Sequence, residues 1–354
     1  MKSTPSILII LGLYFAGMTQ IYAQSSSVEK PVSIVSEPWL ETVVSVHDLD
    51  ETARFFTEIA GYEVIWRGSE TSATMSHLGL NETASAQSLV LSAKGSNFGR
   101  IRLIKFSNAG EQVPIRPGSR PWDTGCYFSI MMRAKNLDQL YADAIRLGWW
   151  TETPITDLEF GTSKLKVVIF KGPQGVQVQT YERISPPLAK EFPKFEKLSV
   201  PFNIMQTVRN RQATREFYVD LLGFDTFYLG DPYVDTEPAP MPLGIPVNLT
   251  TSSRYQAGIF YPKSGEVGRI ETIEFMDLDG ANYSDRCMAP NFGTFSIKFK
   301  VSSVRDVKQE LENRGLKQNT NITRTTIHPY GNIDIFTIKS PDGANIEFFS
   351  SVQN

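Results

Sequence analysis

The chain has 354 residues, of which 41% are hydrophobic and 21% are charged. This composition is typical of a soluble globular protein that is long enough to bury at least two cores. The formal net charge of -3 at pH 7 gives no electrostatic reason to expect nucleic acid or an anionic membrane as a partner.

The N-terminus has the composition of a secretory signal. Lys2 precedes an apolar run over residues 7–18, and Ala23 is followed by a polar, serine-rich stretch. This order is typical of a cleaved signal peptide, and the run is short for a transmembrane helix. We therefore predict a signal peptide over 1–23, a disordered lead-in over 24–36, and a periplasmic or secreted mature protein. Because no cysteine follows the signal directly, we expect no membrane anchor after cleavage.

Export would place the two cysteines of the chain, Cys126 and Cys287, in a compartment where disulfides form. Spacing alone does not establish that they pair, so a disulfide and two separate buried thiols both remain open. Neither cysteine is part of a CxxC or Cys/His pattern, so a thiol enzyme or a zinc site has little support.

The rest of the chain repeats one pattern four times: a short apolar strand, an amphipathic helix that ends at a glycine, and further strands. The two halves match each other most clearly in two places, where residues 54–63 match 216–225 and residues 99–106 match 268–275. We call the four repeats modules 1 to 4.

Each module is predicted to open with a strand, and the opening strands are residues 40–46, 126–132, 202–208 and 294–301. Each helix is predicted to end at a glycine, and these are Gly61, Gly148, Gly223 and Gly315. The predicted closing strands are residues 101–106, 176–181, 270–275 and 345–349.

Two irregular stretches interrupt the modules. Residues 186–199 combine prolines with charges and are predicted to link an N-terminal domain over 37–185 to a C-terminal domain over 200–354. Residues 231–246 form a second proline-rich stretch inside module 3. This stretch is either a variable surface loop or a lid over a cleft, and the sequence leaves both interpretations open.

Two segments carry a family resemblance. The helix end over 216–223 and the closing segment over 341–347, with its Pro-Asp-Gly turn before Ile-Glu, resemble the vicinal oxygen chelate superfamily. This family includes glyoxalase I, bleomycin-resistance proteins and extradiol dioxygenases. The resemblance covers about residues 37–351 and implies an α+β fold. It implies four βαβββ modules that are paired into two U-shaped, open-barrel clefts, with one cleft expected in each half of the chain.

The resemblance also implies where ligands would be bound. Family metal ligands lie on the first strand, seven residues before the residue that opens the helix, and on the last strand. Transfer of these positions gives eight candidate binding residues, two per module: Glu41 and Lys105, Ser129 and Gln179, Asn203 and Glu274, and Ser296 and Glu347.

The histidines that this family most often uses at the first-strand position are missing. The chain contains only His47, His77 and His328, and none of them is at such a position. An iron site with two histidines, and with it extradiol dioxygenase chemistry, is therefore disfavoured. For the N-terminal cleft we hypothesise a Glu41–Lys105 ion pair in place of a metal. The alternative is that these side chains point to solvent, because a one-residue slip of register exchanges the faces of a strand.

In the C-terminal cleft the resemblance implies that Glu274 and Glu347 converge as metal ligands. Two such carboxylates repel, so one must bind a cation, find a donor or become protonated. With Asn203 and Ser296 the donors are all oxygen or amide groups, which favours Mg²⁺, Mn²⁺ or Ca²⁺ over Zn²⁺ or Fe²⁺. The alternative is that both glutamates bond to protein donors, with no metal.

Three functions remain. The first is a small-molecule binding protein, similar to bleomycin-resistance proteins, that holds its ligand between modules without a His-ligated metal. The second is a metal-dependent lyase, isomerase or dioxygenase with an oxygen-ligand site in the C-terminal half, and the third is an interaction scaffold. Five aromatic residues either line such a pocket or pack in the core: Trp66, Phe128, Tyr181, Phe227 and Phe299. The sequence assigns no catalytic residue, ligand or oligomeric state.

Overall fold

The computed structural model describes residues 30–118 and 120–352. The predicted signal peptide and residues 24–29 of the predicted lead-in lie outside this range. Among the described helices, none combines the length and the apolar character that a membrane crossing requires.

Modules 2, 3 and 4 have the predicted βαβββ order, and module 1 has an additional helix, α2, that was not predicted. Module 1 contains β1 (Glu41–Ser45), α1 (Leu49–Arg54, continued by a π-helical turn over Phe55–Ile59), β2 (Glu63–Ser69), α2 (Ser72–His77), β3 (Ser85–Ser92) and β4 (Arg100–Ser107). Module 2 contains β5 (Ser129–Ala134), α3 (Leu137–Arg146), β6 (Thr156–Phe160), β7 (Ser163–Lys171) and β8 (Gln177–Ser185). Module 3 contains β9 (Leu198–Thr207), α4 (Arg211–Arg215, continued by a π-helical turn over Glu216–Leu221), β10 (Asp225–Leu229), β11 (Tyr255–Tyr261) and β12 (Arg269–Phe275). Module 4 contains β13 (Gly293–Lys300), α5 (Val304–Asn313), β14 (Thr323–Ile327), β15 (Gly331–Lys339) and β16 (Asn345–Ser351).

The helix boundaries follow from local chemistry. The first helix of each module begins after a residue whose side chain accepts a hydrogen bond from a backbone N–H of the first turn, and these residues are Asp48, Asn136, Asn210 and Ser303. The glycine after each of these helices has a positive φ, as predicted for Gly61, Gly148, Gly223 and Gly315. Capping residues and glycines therefore determine where the first helix of each module begins and ends.

The strands form two eight-stranded sheets, with the orders β14-β15-β16-β13-β1-β4-β3-β2 and β10-β11-β12-β9-β5-β8-β7-β6. At the centre of the first sheet β1 pairs antiparallel with β13, and at the centre of the second β5 pairs antiparallel with β9. Both sheets curl, which confirms the predicted fold class of paired open-barrel modules. We call the concave side of the first sheet the first cleft and that of the second sheet the second cleft.

The pairing of modules differs from the sequence-based expectation. The first sheet joins module 1 to module 4, and the second joins module 2 to module 3. Neither 37–185 nor 200–354 therefore contains a complete cleft. The repeat specifies each module, but every module presents a similar opening strand, so only long-range contacts select the partner. One such contact is the 2.7 Å hydrogen bond from the Leu40 N–H to the Lys298 carbonyl.

The helices pack against strands of both sheets. Phe55 and Phe56 of module 1 share a buried cluster with strands of the first sheet and with Ile130, Val168 and Phe170 of the second. A second cluster joins α4 and its sheet to α5 and the first sheet. The apolar faces of the helices thus connect the two sheets.

The two cysteines are linked in a disulfide, which answers the question that the sequence left open. Cys126 and Cys287 have their Cα atoms 5.3 Å apart and are 161 positions apart in sequence. Cys126 precedes β5 of the second sheet, and Cys287 precedes β13 of the first sheet. The disulfide therefore ties one sheet to the other.

The described part of the predicted disordered lead-in, residues 30–36, packs onto modules 3 and 4. The Ile34 N–H donates to the Leu222 carbonyl at 3.0 Å, and Val35 is buried in the core. The Arg314 guanidinium donates to the Val32 carbonyl at 2.8 Å. Val35 is buried and Ile34 is partly buried, and this apolar burial favours an ordered segment.

Candidate functional site

Six of the eight candidate binding residues are buried within the sheets: Glu41, Ser129, Gln179, Asn203, Ser296 and Glu347. The other two, Lys105 and Glu274, are only partly buried and belong to the closing strands of modules 1 and 3. The structure divides the set between the clefts, with Glu41, Ser296 and Glu347 in the first sheet and Ser129, Gln179 and Asn203 in the second. Glu274 and Glu347 lie in different sheets, so the predicted two-carboxylate metal site is not formed.

The closing-strand positions of modules 1 and 3 were predicted three residues too late. The residue there interacts with the start of the module's helix instead of the cleft: Glu274 accepts from the Arg211 N–H at 2.8 Å, and Lys105 acts electrostatically on Asp48. The cleft positions are held by Arg102 and Glu271. Residues three apart on a strand lie on opposite faces of the sheet. The predicted residues therefore lie on the face that does not line the cleft.

Sequence signals for these two residues exist. The matching segments 99–106 and 268–275 align Arg102 with Glu271. In module 2, Glu182 lies three residues after Gln179 and accepts from the Leu137 N–H of its helix at 2.9 Å. Lys105 and Glu274 are the helix-contacting residues of modules 1 and 3. The same three-residue offset, counted back from them, gives Arg102 and Glu271 as the cleft residues.

The first cleft contains a buried ionic network around Arg102. Its guanidinium donates to Glu41 Oε1 and to Glu70 Oε1, each at 2.8 Å, and its Cζ lies 5.6 Å from the Trp66 ring centroid. The Tyr330 hydroxyl donates to Glu41 Oε2 at 2.8 Å. Burial lowers the pKa of Arg102, but Glu41 and Glu70 outweigh this effect and raise it above the usual value. The predicted Glu41–Lys105 pair is therefore wrong in its cation: the partner is Arg102.

A second ionic group lies beside this network. Lys298 contacts Glu347 Oε2, and His77 Nε2 lies 3.6 Å from Glu347 Oε1. Burial opposes the charge of Glu347, but Lys298 and His77 outweigh it and hold the pKa of the carboxyl at about 2. Glu347 is thus an ionised carboxylate that already has its counter-charge.

The first cleft does not fit a divalent metal. Arg102 and Lys298 place two cations among the carboxylates that would be its ligands. The space that remains is about 20 Å³, which is room for about one water molecule. Helix α2 accounts for part of this filling, because Thr74 and His77 line the remaining space.

The second cleft has a polar floor made of neutral groups and one carboxylate. Ser129 Oγ donates to Gln179 Oε1 at 3.0 Å, and Gln179 Nε2 donates to the Tyr181 hydroxyl. Beside them Asn203 Nδ2 donates to Glu271 Oε2 at 2.9 Å. The sequence-based positions Ser129, Gln179 and Asn203 are thus brought together here.

Glu271, the one carboxylic acid of this floor, has a shifted pKa. Burial raises its pKa to about 7, against the opposing effects of the Asn203 hydrogen bond and of the Arg133 and Arg269 guanidiniums. Burial also raises the pKa of Tyr181 well above its usual value, and Glu271 adds to this effect. A cavity residue with this kind of shift marks a functional site more often than an ordinary surface acid does.

The walls of the second cleft are apolar and aromatic. They enclose about 130 Å³, a volume of the size that holds a single small ring. Residues 231–246 supply part of the wall through Met241, Pro242 and Leu243, so this stretch lies against the second cleft. Gly244 has a positive φ, and a Cβ there would lie 2.9 Å from Glu152 Cβ of module 2. This close approach shows that the segment crosses from module 3 to module 2.

The second cleft also fits a divalent metal poorly. Its floor provides one carboxylate, Glu271, together with the neutral groups of Ser129, Gln179 and Asn203, whereas hard cations are usually held by more anionic oxygen. Within 30–118 and 120–352, no group of three or more His, Cys, Asp or Glu side chains is arranged as a metal site.

The five aromatic candidates have different environments. Tyr181 lines the second cleft, whereas Phe128 and Phe299 are buried in the core. Trp66 stacks on His328 with ring centroids 5.3 Å apart, and Phe227 is 48% exposed beneath the Arg269 guanidinium. The other rings of the second cleft come from β6, β10, β11 and the segment after β10, where sequence reasoning placed no site.

The architecture matches known structures. Glyoxalase I from Zea mays superposes with a TM-score of 0.58 at 13% identity, over 88% of this chain and 92% of that one. The chain has the vicinal oxygen chelate fold. A candidate dioxygenase from Bacillus subtilis has the same fold, with a TM-score of 0.53 at 10% identity over 91% of this chain and 87% of that one. No protein-family model matches the sequence, and no curated protein matches it significantly. At these identities the likeness concerns the vicinal oxygen chelate fold and not the chemistry.

Proposed function

We propose that this chain is an exported small-molecule binding protein that holds its ligand in the second cleft. The observation that carries the proposal is the roughly 130 Å³ cavity between modules 2 and 3, with aromatic walls and with Gln179 and Glu271 at its floor. Ligand sites are typically concave and mostly apolar, with a few polar groups that fix orientation.

The contrast with the first cleft supports this choice. In the first cleft every carboxylate of this group has a cationic partner: Arg102 pairs with Glu41 and Glu70, and Lys298 pairs with Glu347. In the second cleft, Glu271 lines the cavity and has a neutral amide as its closest hydrogen-bond partner. A ligand group that pairs with the Glu271 carboxyl would therefore gain affinity.

Export is supported by two observations. The N-terminal sequence has the order of a signal peptide, with Ala23 at the expected cleavage edge. The Cys126–Cys287 disulfide is typical of proteins in oxidising compartments. Expression of the full chain in a bacterial host, followed by mass spectrometry of the product in the periplasm and medium, tests this part. We expect a mature N-terminus at Gln24; an uncleaved cytoplasmic product would contradict export.

Binding can be tested with a library of one- and two-ring molecules that includes neutral, anionic and cationic members. Ligand-observed NMR on the mature protein should reveal binders that compete for one site. The matched control is Ala257→Trp, which fills the cavity, because Ala257 lines it. We expect the binding signals to disappear in this variant while its melting temperature changes little. If no member binds, or if binding persists in a folded Ala257→Trp variant, the proposed site is wrong.

A further inference from the structure

The second cleft is lined by an unusual density of aromatic rings. Five of them surround the cavity: Phe160, Tyr181, Tyr228, Tyr233 and Tyr255. Phe160 and Tyr228 form an edge-to-face pair with centroids 5.2 Å apart, and Tyr233 and Tyr255 form another at 5.6 Å. The two pairs come from both modules of the cleft, since Phe160 belongs to module 2 and the other three to module 3. Aromatic faces carry negative partial charge and attract cations.

The charges of the lining have one sign. Glu271 and Asp231 both line the cavity, and no Lys, Arg or His is among the described residues that do so. Arg133 and Arg269 act electrostatically on Glu271 but do not line the cavity: Arg269 donates to the Gly265 carbonyl at 2.8 Å, and Arg133 lies 3.7 Å from Glu266. Arg211 donates to the Ala257 carbonyl at 3.0 Å.

We propose that the second cleft binds a small organic cation, such as a quaternary or tertiary amine, between its aromatic walls and the Glu271 carboxylate. This inference rests on the proposed function, because it names the class of ligand for the same cavity. The Glu271 side chain is partly exposed to the cavity and has one hydrogen bond, from Asn203, so a cation in the cavity would be its direct ion-pair partner.

An organic cation fits this cavity better than an inorganic one does. A quaternary ammonium group is weakly hydrated and apolar on its surface, so it loses little on entering a ring of aromatic side chains. A hard divalent cation would exchange a strong hydration shell for only two carboxylates, Glu271 and Asp231. The size of the cavity, about 130 Å³, restricts the ligand to a compact head group.

The test compares two molecules of nearly the same shape: choline and its uncharged isostere 3,3-dimethyl-1-butanol. Isothermal titration calorimetry on the mature protein should give choline an affinity at least about 10-fold higher, because only choline has the positive charge. Tyr255→Leu and Glu271→Gln should each weaken choline binding by about 10-fold. Tyr228→Leu provides a second aromatic variant. Tyr261→Leu is the matched control, since Tyr261 lies on the same strand as Tyr255 but does not line the cavity.

The outcomes separate this inference from the proposed function. If both molecules bind equally well and Ala257→Trp abolishes both, the cavity binds small molecules but does not select cations, and the inference fails alone. If neutral library members bind at the cavity and choline does not, the inference also fails alone. Choline binding that survives Ala257→Trp would show an adventitious surface site and would overturn the inference. Loss of choline binding in the Tyr255, Glu271 and Ala257 variants, but not in Tyr261→Leu, would establish it.

Discussion

The two clefts have the same strand topology, but the first is filled by ion pairs and the second contains a cavity. In the first, three carboxylates form ion pairs with Arg102 and Lys298, and about 20 Å³ remains free. In the second, about 130 Å³ is lined by aromatic rings around Glu271, whose nearest partner is an amide. The same sheet thus serves as a closed ionic core in one case and as a cavity wall in the other.

One topological position explains much of this difference. The connection between the second and third strands of module 1 carries helix α2, whose residues Thr74 and His77 fill the first cleft. The equivalent connection of module 3 contains residues 231–246, which cross to module 2 and cover the second cleft without filling it. The content of a cleft in this fold therefore depends on a connection outside the repeated strand pattern.

The largest effect is expected from breaking the charge pairing of the first cleft. Lys298→Met leaves Glu347 buried with its main counter-charge removed, and we expect it to lower the free energy of unfolding by about 3–5 kcal/mol. The double variant Lys298→Met, Glu347→Gln removes both charges and should recover most of that loss. Urea unfolding measures both values. Removal of the exposed Arg54–Glu58 pair by Arg54→Ala is the control and should change stability by less than about 1 kcal/mol. A Lys298→Met cost as small as that of the control would contradict the account of the first cleft.

Removal of the disulfide between the two sheets should have the next largest effect. The Cys126→Ser, Cys287→Ser variant loses a cross-link between residues 161 positions apart. We expect it to lower the free energy of unfolding by about 2–5 kcal/mol, because the unfolded chain regains freedom. Mild reduction of the wild-type protein should give a similar decrease, whereas an unchanged urea midpoint after complete reduction would show that the disulfide adds nothing.

Glu271 should make the free energy of unfolding depend on pH between about pH 4.5 and pH 7. Its pKa in the folded state is about 7, raised from 4.5, so its carboxyl favours folding below about pH 4.5 and this contribution is lost as the pH rises to about 7. Glu271→Gln does not titrate. Relative to wild type, the variant should gain about 2 kcal/mol of stability between pH 4.5 and pH 7.5.

This prediction is checked by urea unfolding of both proteins across that pH range. Glu274→Gln, on the same strand but outside the cavity, controls for the substitution itself. A stability difference between wild type and Glu271→Gln that does not vary with pH would show that Glu271 is not desolvated as the structure indicates.

The sequence predicted the modules well and the clefts only in part. Caps such as Asp48 and Asn210, and glycines such as Gly61 and Gly223, act locally, so their pattern predicted the elements correctly. The pairing of module 1 with module 4 depends on contacts between distant strands and could not be inferred from similar repeats.

The prediction of the binding residues was limited by uncertainty about strand register. Ser129, Gln179 and Asn203 were predicted as binding positions but assigned to two different clefts, whereas the structure brings them together in the floor of one. Arg102 and Glu271 were missed because a three-residue offset on a strand reverses the face. Three of the five rings of the wall, Phe160, Tyr228 and Tyr233, come from edge strands and a connection, whose positions in space no local pattern specifies.

The most direct test of the central claim, that the second cleft and not the first is the binding site, is a crystal structure of the protein with choline. The account predicts the trimethylammonium group between Tyr255 and Glu271, with the Lys298–Glu347 contact in the first cleft unchanged. Choline bound in the first cleft in place of that contact, with the second cleft free of ligand, would contradict it.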